Sequence, residues 1–179
     1  MAADDTDLAR YLEVFPAWLG TLGKDAGELG AFVAGRPQDD LARFAVSGLN
    51  YIFKSLDLIP DGIDDLGFCD DAFVIRVACR LAVDGGEDPG GVVGRLANDA
   101  KLVEEFLEGD YVRLVGYVEG LRKGAARGRT VEDIMTDDAA RAAFLTEISA
   151  WSTEYKVPSF TKDVKTLIKL KAFLSAKLS

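Results

Sequence analysis

The segment from Tyr51 to Asp71 holds six aspartates, Pro60, Gly62 and Gly67 within twenty-one residues, and no regular helix or strand can run through it. Helical patterns flank it on both sides. Before it, Leu41, Phe44, Ala45, Leu49, Ile52 and Phe53 recur with the spacing of one helix face, with Gly48 on the same stripe. After it, residues 72–83 are apolar nearly all round. Only Arg76, Arg80 and then Asp84 interrupt them, on a single stripe. Such a helix is central to its domain. The pairing predicts a helical hairpin, 39–54 against 71–83, closed by an Asp/Pro/Gly-rich turn and capped at Asp70 or Asp71.

The same period runs through the rest of the chain. It predicts helices over 4–22, 24–33, 92–98, 101–107, 110–123 and 130–155, and a last one after Pro158. Pro16 kinks or divides the first. The sixth breaks at Thr136-Asp137-Asp138, and Thr130 with Asp133 has the spacing of a capping box. No alternating pattern of useful length predicts a strand. The fold class is therefore an all-α multi-helix bundle of seven to nine helices. Residues 84–91, with four glycines and a proline, divide a core (1–84) from a helical extension (85–179) that packs on it as one compact unit.

Charge and residue usage narrow the chemistry. A formal net charge of -9 excludes nucleic acid as a default partner, because phosphate recognition needs excess Lys and Arg. Histidine is absent, which removes Ser-His and Cys-His nucleophiles and every His-containing metal site. Cys69 and Cys79 form no CxxC and read as buried free thiols of a reducing compartment. Residues 1–5 show neither the positive nor the apolar region of a secretory signal, and no stretch is long and apolar enough for a transmembrane segment, so the expected location is cytoplasmic.

Within the turn, Tyr51, Asp57, Leu58, Ile59, Pro60, Asp61, Ile63, Gly67, Asp70 and Asp71 stand in the register of a known motif. The region 41–82 resembles the YkvA-like family of bacterial proteins, a domain of unknown function. Two family prolines are replaced, by Ser55 and Asp64. The resemblance implies a helical hairpin with an ordered acidic turn and no agreed activity; many members of that family carry a membrane-spanning segment.

Two readings of the turn compete. In the plain one, the aspartates cap helices and close Asx-turns, Pro60 fixes φ, and Gly67 supplies a backbone conformation that other residues resist. In the other, Asp57, Asp61 and Asp71 bind Mg²⁺ or Ca²⁺, since hard cations take carboxylate oxygens and no His competes. The spacing is not that of an EF-hand loop. No other cofactor is expected. Arg76 and Arg80, one turn apart on an apolar helix, are expected to pair with Asp57, Asp61, Asp70 or Asp71.

Residues 156–179 carry six lysines and a single acid, Asp163. The expectation is a tail docked on the acidic body with Val164, Leu167, Ile168 and Leu174 buried. The alternatives are a basic face (Lys162, Lys165, Lys169, Lys177) on an anionic membrane or in the groove of a protein partner. Three weaker signals read structurally. Gly90-Gly91 enters a helix, Gly116 and Gly120 mark close helix packing, and Arg122–Arg129 complements a helix C-terminus on a solvated face. The functional expectation is a non-enzymatic interaction or scaffold module. A metal-dependent hydrolase using the Asp cluster and a peripheral membrane protein are its rivals.

Overall fold

A computed structural model describes residues 4–36, 39–54 and 57–178. Pro37 and Gln38, just before the helix predicted over 39–54, and Ser55 lie outside the described residues. Eight α-helices account for most of those described: α1 (Asp5–Ala34), α2 (Asp40–Tyr51), α3 (Cys69–Asp84), α4 (Gly91–Leu107), α5 (Asp110–Gly120), α6 (Val131–Thr136), α7 (Asp138–Glu154) and α8 (Val164–Lys177). A two-residue hairpin, β1 (Ala125–Ala126) with β2 (Arg129–Thr130), turns through Arg127 and Gly128 at positive φ. The all-α multi-helix bundle is the fold. Among the described residues no helix is long and apolar enough to cross a membrane.

The caps explain many boundaries. Asp4, Asp39, Asp137 and Asp163 each accept a backbone N–H at a helix start. Thr130 and Asp133 form the expected capping box, and Asp137 separates α6 from α7 as predicted. Two expected breaks do not occur. Helix α1 runs from Asp5 to Ala34 through Pro16 and Gly23, and α4 runs from Gly91 to Leu107 through Asn98 and Asp99. In α1, Gly23 and Gly30 are contacts, not breakers. A Cβ on Gly23 would lie 2.9 Å from the Ser152 carbonyl oxygen, and one on Gly30 would lie 3.0 Å from Ile148. The spaces they leave bring α7 against α1, where the Ser152 hydroxyl donates to the Gly23 carbonyl and Tyr155 to that of Leu19. Gly116 and Gly120 have open space where a Cβ would stand, so they mark no close packing.

The helical hairpin forms as expected, α2 lying along α3, with Gly48 admitting Ala78 and Ile75. Helix α3 is the centre of the fold, packed also on α4 and α5, and its buried run extends from Cys69 to Cys79. One apolar cluster reaches from Tyr11 to Leu178 and draws on both sides of the Asp84–Gly91 connection. Helix α8 joins it through Leu167, Leu170 and Leu174, with Leu178 just beyond its end. The expectation for the tail holds for Leu167 and Leu174 and fails for Val164 and Ile168, which are 41% and 63% exposed. Around the helix those two lie beyond the edge of the stripe formed by Leu167, Leu170, Leu174 and Leu178. The basic run is in part the expected solvated helix end, since Arg122 is exposed and donates to the Glu119 carbonyl at 3.3 Å, but it also packs on aromatic rings. Arg122, Arg127 and Arg129 lie over the rings of Phe44, Phe53 and Phe144, and Arg127 and Arg129 both pair with Glu147.

Candidate metal centre

The turn between α2 and α3 is anchored by its apolar residues: Leu58, Ile59 and Leu66 are buried. Short backbone bonds tighten it, from Ile63 N to the Pro60 carbonyl (3.1 Å) and from Gly67 N to that of Ile63 (2.9 Å). Gly67 is needed for space, not for conformation. A Cβ there would stand 2.2 Å from the Asp61 carbonyl oxygen, while the left-handed residues are Asp65 (φ 67°) and Phe68 (φ 66°). Phe68 is the residue before α3, so neither Asp70 nor Asp71 caps that helix as predicted. Both lie inside its first turn, facing back into the protein.

Asp70 is held from two sides. The Tyr51 hydroxyl donates to one oxygen, and Ile59 N donates to the same oxygen at 3.2 Å. Tyr51 in turn accepts from Leu58 N at 2.7 Å, so one buried phenol ties the end of α2, the turn and the start of α3. Asp57 and Asp61 come from the turn and Asp71 from α3. One carboxylate oxygen of each lies within 4.8 Å of the others. The three residues proposed from sequence as ligands are those the fold brings together. Pro60, at the turn's outer edge, and Asp64 are exposed.

The electrostatics of this cluster are unbalanced. Asp71 is 1% exposed, and neither of its oxygens has a hydrogen-bond donor; one oxygen each of Asp57 and Asp70 is buried and undonated as well. Buried carboxylates in this state are costly unless a proton or cation reaches them. Loss of solvent, then the charges of Asp70 and Asp61, push the Asp57 carboxyl up to about 7. Burial raises Asp70 to about 6 against the lowering effect of its Tyr51 bond. Burial and the charges of Asp70, Asp61 and Asp57 hold Asp71 well above the usual carboxylate range.

A pH dependence follows. These folded-state values lie above those of the unfolded chain, so the folded protein holds extra protons from about pH 4 upward. That contribution is present at low pH and is lost as pH rises through about 6 and about 7. The capping groups Asp39 and Asp133 are lowered, and their opposite effect is complete below this window. In EDTA, the melting temperature is expected to fall by roughly 5 °C between pH 5 and pH 8. A melt followed by circular dichroism that is flat or rising over that interval would contradict the assignment.

The expected Arg partners are absent from the turn. Arg76 pairs with Asp25 of α1 at 3.4 Å and Asp99 of α4 at 3.2 Å, and Arg80 pairs with Asp84 at 3.2 Å and Glu104 at 4.0 Å. Arg76 follows Asp71 by five residues, about 140° around the helix, so the two point to opposite sides of α3. Asp25, Asp99 and Arg95 went unforeseen. Asp25 carried a signal, an acid on the same stripe as Leu22 and Leu29. Of the tail lysines, Lys162 pairs with Glu13 at 3.2 Å and Lys177 lies over Phe173, while Lys165 and Lys169 are exposed.

No protein-family model, curated protein or solved structure matches this chain. The turn is therefore interpreted from its own chemistry. Three convergent carboxylates, one buried and one open to solvent, offer a hard cation an oxygen-only ligand set with room for water on the Asp61 side.

Proposed function

We propose that the protein is a non-enzymatic helical scaffold module, of the type its YkvA-like turn suggests, in which Asp57, Asp61 and Asp71 bind a divalent cation, Mg²⁺ or Ca²⁺. The supporting observation is Asp71. Its carboxylate is buried, has no donor, and shares a 4.8 Å cluster with the other two. An ion there would offset most of the cluster's negative charge and join the turn to the first turn of α3, completing the hairpin on which the bundle is built. The ligand residues reach the ion from two elements, which suits a stabilising role. A partner protein would meet the module elsewhere, Lys165, Lys169 and Lys177 being the exposed basic side chains of α8.

The test is calorimetry and thermal melting at pH 8 after EDTA treatment, with MgCl₂, CaCl₂ and MnCl₂ added separately. Saturable heat is expected, with a rise of about 5–10 °C at a hundredfold excess over Kd. Asp71→Asn should abolish that rise and also raise the melting temperature of the metal-free protein, since it removes a buried charge. Neither heat nor shift at about 10 mM cation, above the weakest usual Ca²⁺ affinities, would return the turn to a purely structural role. Cation-dependent phosphoester hydrolysis lost in Asp61→Asn would favour the hydrolase reading.

A further inference from the structure

The two non-glycine residues that hold left-handed backbone in the turn, Asp65 and Phe68, both touch the C-terminal part of the chain. One oxygen of Asp65 accepts from both the backbone N–H (2.8 Å) and the hydroxyl (2.9 Å) of Thr161, ninety-six residues downstream. The Phe68 ring meets Tyr155 edge-on at 5.3 Å and Trp151 at 6.2 Å. Thr161 lies in the connection from α7 to α8, which has no regular structure between Tyr155 and Thr161. Asp65 is thus a long-range anchor of that connection, and the connection covers one flank of the turn.

Backbone in this region is sparsely populated by residues with a side chain, and it persists where the surroundings over-determine it. The contacts from Thr161, Tyr155 and Trp151 supply that constraint. The turn is also closely packed. Gly67 N is bonded to the Ile63 carbonyl, and the Asp61 carbonyl is packed against Gly67, so Asp61 and Asp65 belong to one tight unit. Whatever fixes Asp65 fixes Asp61, a ligand of the proposed ion.

Resting on the cation reading above, we infer that Thr161 is a positioning residue of the cation site, and that the bound ion and the α7–α8 connection stabilise one another. The coupling is reciprocal by thermodynamic necessity. An ion that orders residues 57–71 strengthens the Asp65–Thr161 bonds, and loss of those bonds weakens the ion. Thr161 is uncharged, so its replacement alters the site without altering the net charge around the carboxylates.

The experiment titrates full-length wild type, Thr161→Val and Thr161→Ser with Ca²⁺ and, separately, Mg²⁺, and follows amide hydrogen exchange over 155–165 with and without each ion. Thr161→Val is expected to bind about two- to fivefold more weakly, the worth of one hydroxyl hydrogen bond, and Thr161→Ser to restore wild-type affinity. Exchange at Thr161 and its neighbours should slow on ion addition in wild type and slow less in Thr161→Val. A packing effect alone would lower the melting temperature in EDTA without changing the ion's affinity. If wild type binds the ion but Thr161→Val binds it equally and exchange over 155–165 is unaffected, the coupling is refuted and the cation site stands. If wild type binds neither ion, the cation reading itself fails.

Discussion

Deleting residues 158–179 is expected to abolish cooperative folding. Leu167, Leu170, Leu174 and Leu178 are each no more than 2% exposed, and burying a leucine contributes ~1.5–3 kcal/mol. Four of them together contribute roughly 6–12 kcal/mol before ordering costs, comparable with the whole stability of a domain this size. The deletion would also bare apolar surface on α1 and α4, where Leu8, Tyr11 and Phe106 line the groove beside α8. The charge on the tail is secondary. The pairs Lys162–Glu13 and Lys171–Glu108 are partly solvated, and solvent screening leaves such surface pairs little net effect on stability. Salt should therefore leave α8 docked. Circular dichroism melts check this, and Leu170→Ala provides a graded version with an expected loss of about 2–5 kcal/mol. A truncated chain with an unchanged melting temperature would mean that the tail is held loosely and is available to a membrane or partner.

Arg76→Ala is expected to destabilise the protein by about 3–5 kcal/mol, the cost of breaking a buried ion pair from one side. The Arg76 side chain has no exposure. Its guanidinium contacts Asp25 and Asp99, donates to the Ala72 carbonyl at 3.0 Å, and lies 4.1 Å above the Trp18 ring. Removing it leaves a cavity beside Trp18 and takes a counter-charge from Asp25, which is 1% exposed. Arg95, at 2.8 Å from Asp25, and Thr21, at 2.9 Å, moderate the loss. Arg76→Met fills the volume and should cost less. Combining Arg76→Met with Asp25→Asn should cost less than the sum of the two, because the second change removes the charge that the first leaves unbalanced. Denaturant melts of the four proteins measure this directly; strict additivity would show that the pair contributes nothing specific.

The two arginine-rich features show how far residue pattern carries. Arg76 is conspicuous in sequence as a charge on an apolar helix, and its need for a carboxylate follows from burial alone. Which carboxylate answers it depends on the angle between α3 and helices far away in the chain. Likewise Arg122, Arg127 and Arg129 meet the rings of Phe44 in α2, Phe53 two residues beyond it and Phe144 in α7, and nothing in their own neighbourhood foretells that.

What the sequence by itself determined is the part of the structure governed by neighbours. The 3.6-residue period places the helical segments, Thr130 with Asp133 and Asp137 set local starts, and Pro60 with its glycines forces a turn between α2 and α3. The convergence of Asp57, Asp61 and Asp71 was also readable, because they flank both sides of one closed turn. The tertiary structure alone decided that Gly23 and Gly30 admit a helix instead of ending one, and that Phe68 rather than an aspartate precedes α3. It also decided that Val164 and Ile168 stay exposed, and that Thr161 reaches back to Asp65. The physical reason is range. Periodicity and capping are hydrogen-bond and burial effects along a few residues, whereas the partner of a glycine face, a buried charge or a strained turn is fixed by packing between elements that the chain keeps far apart.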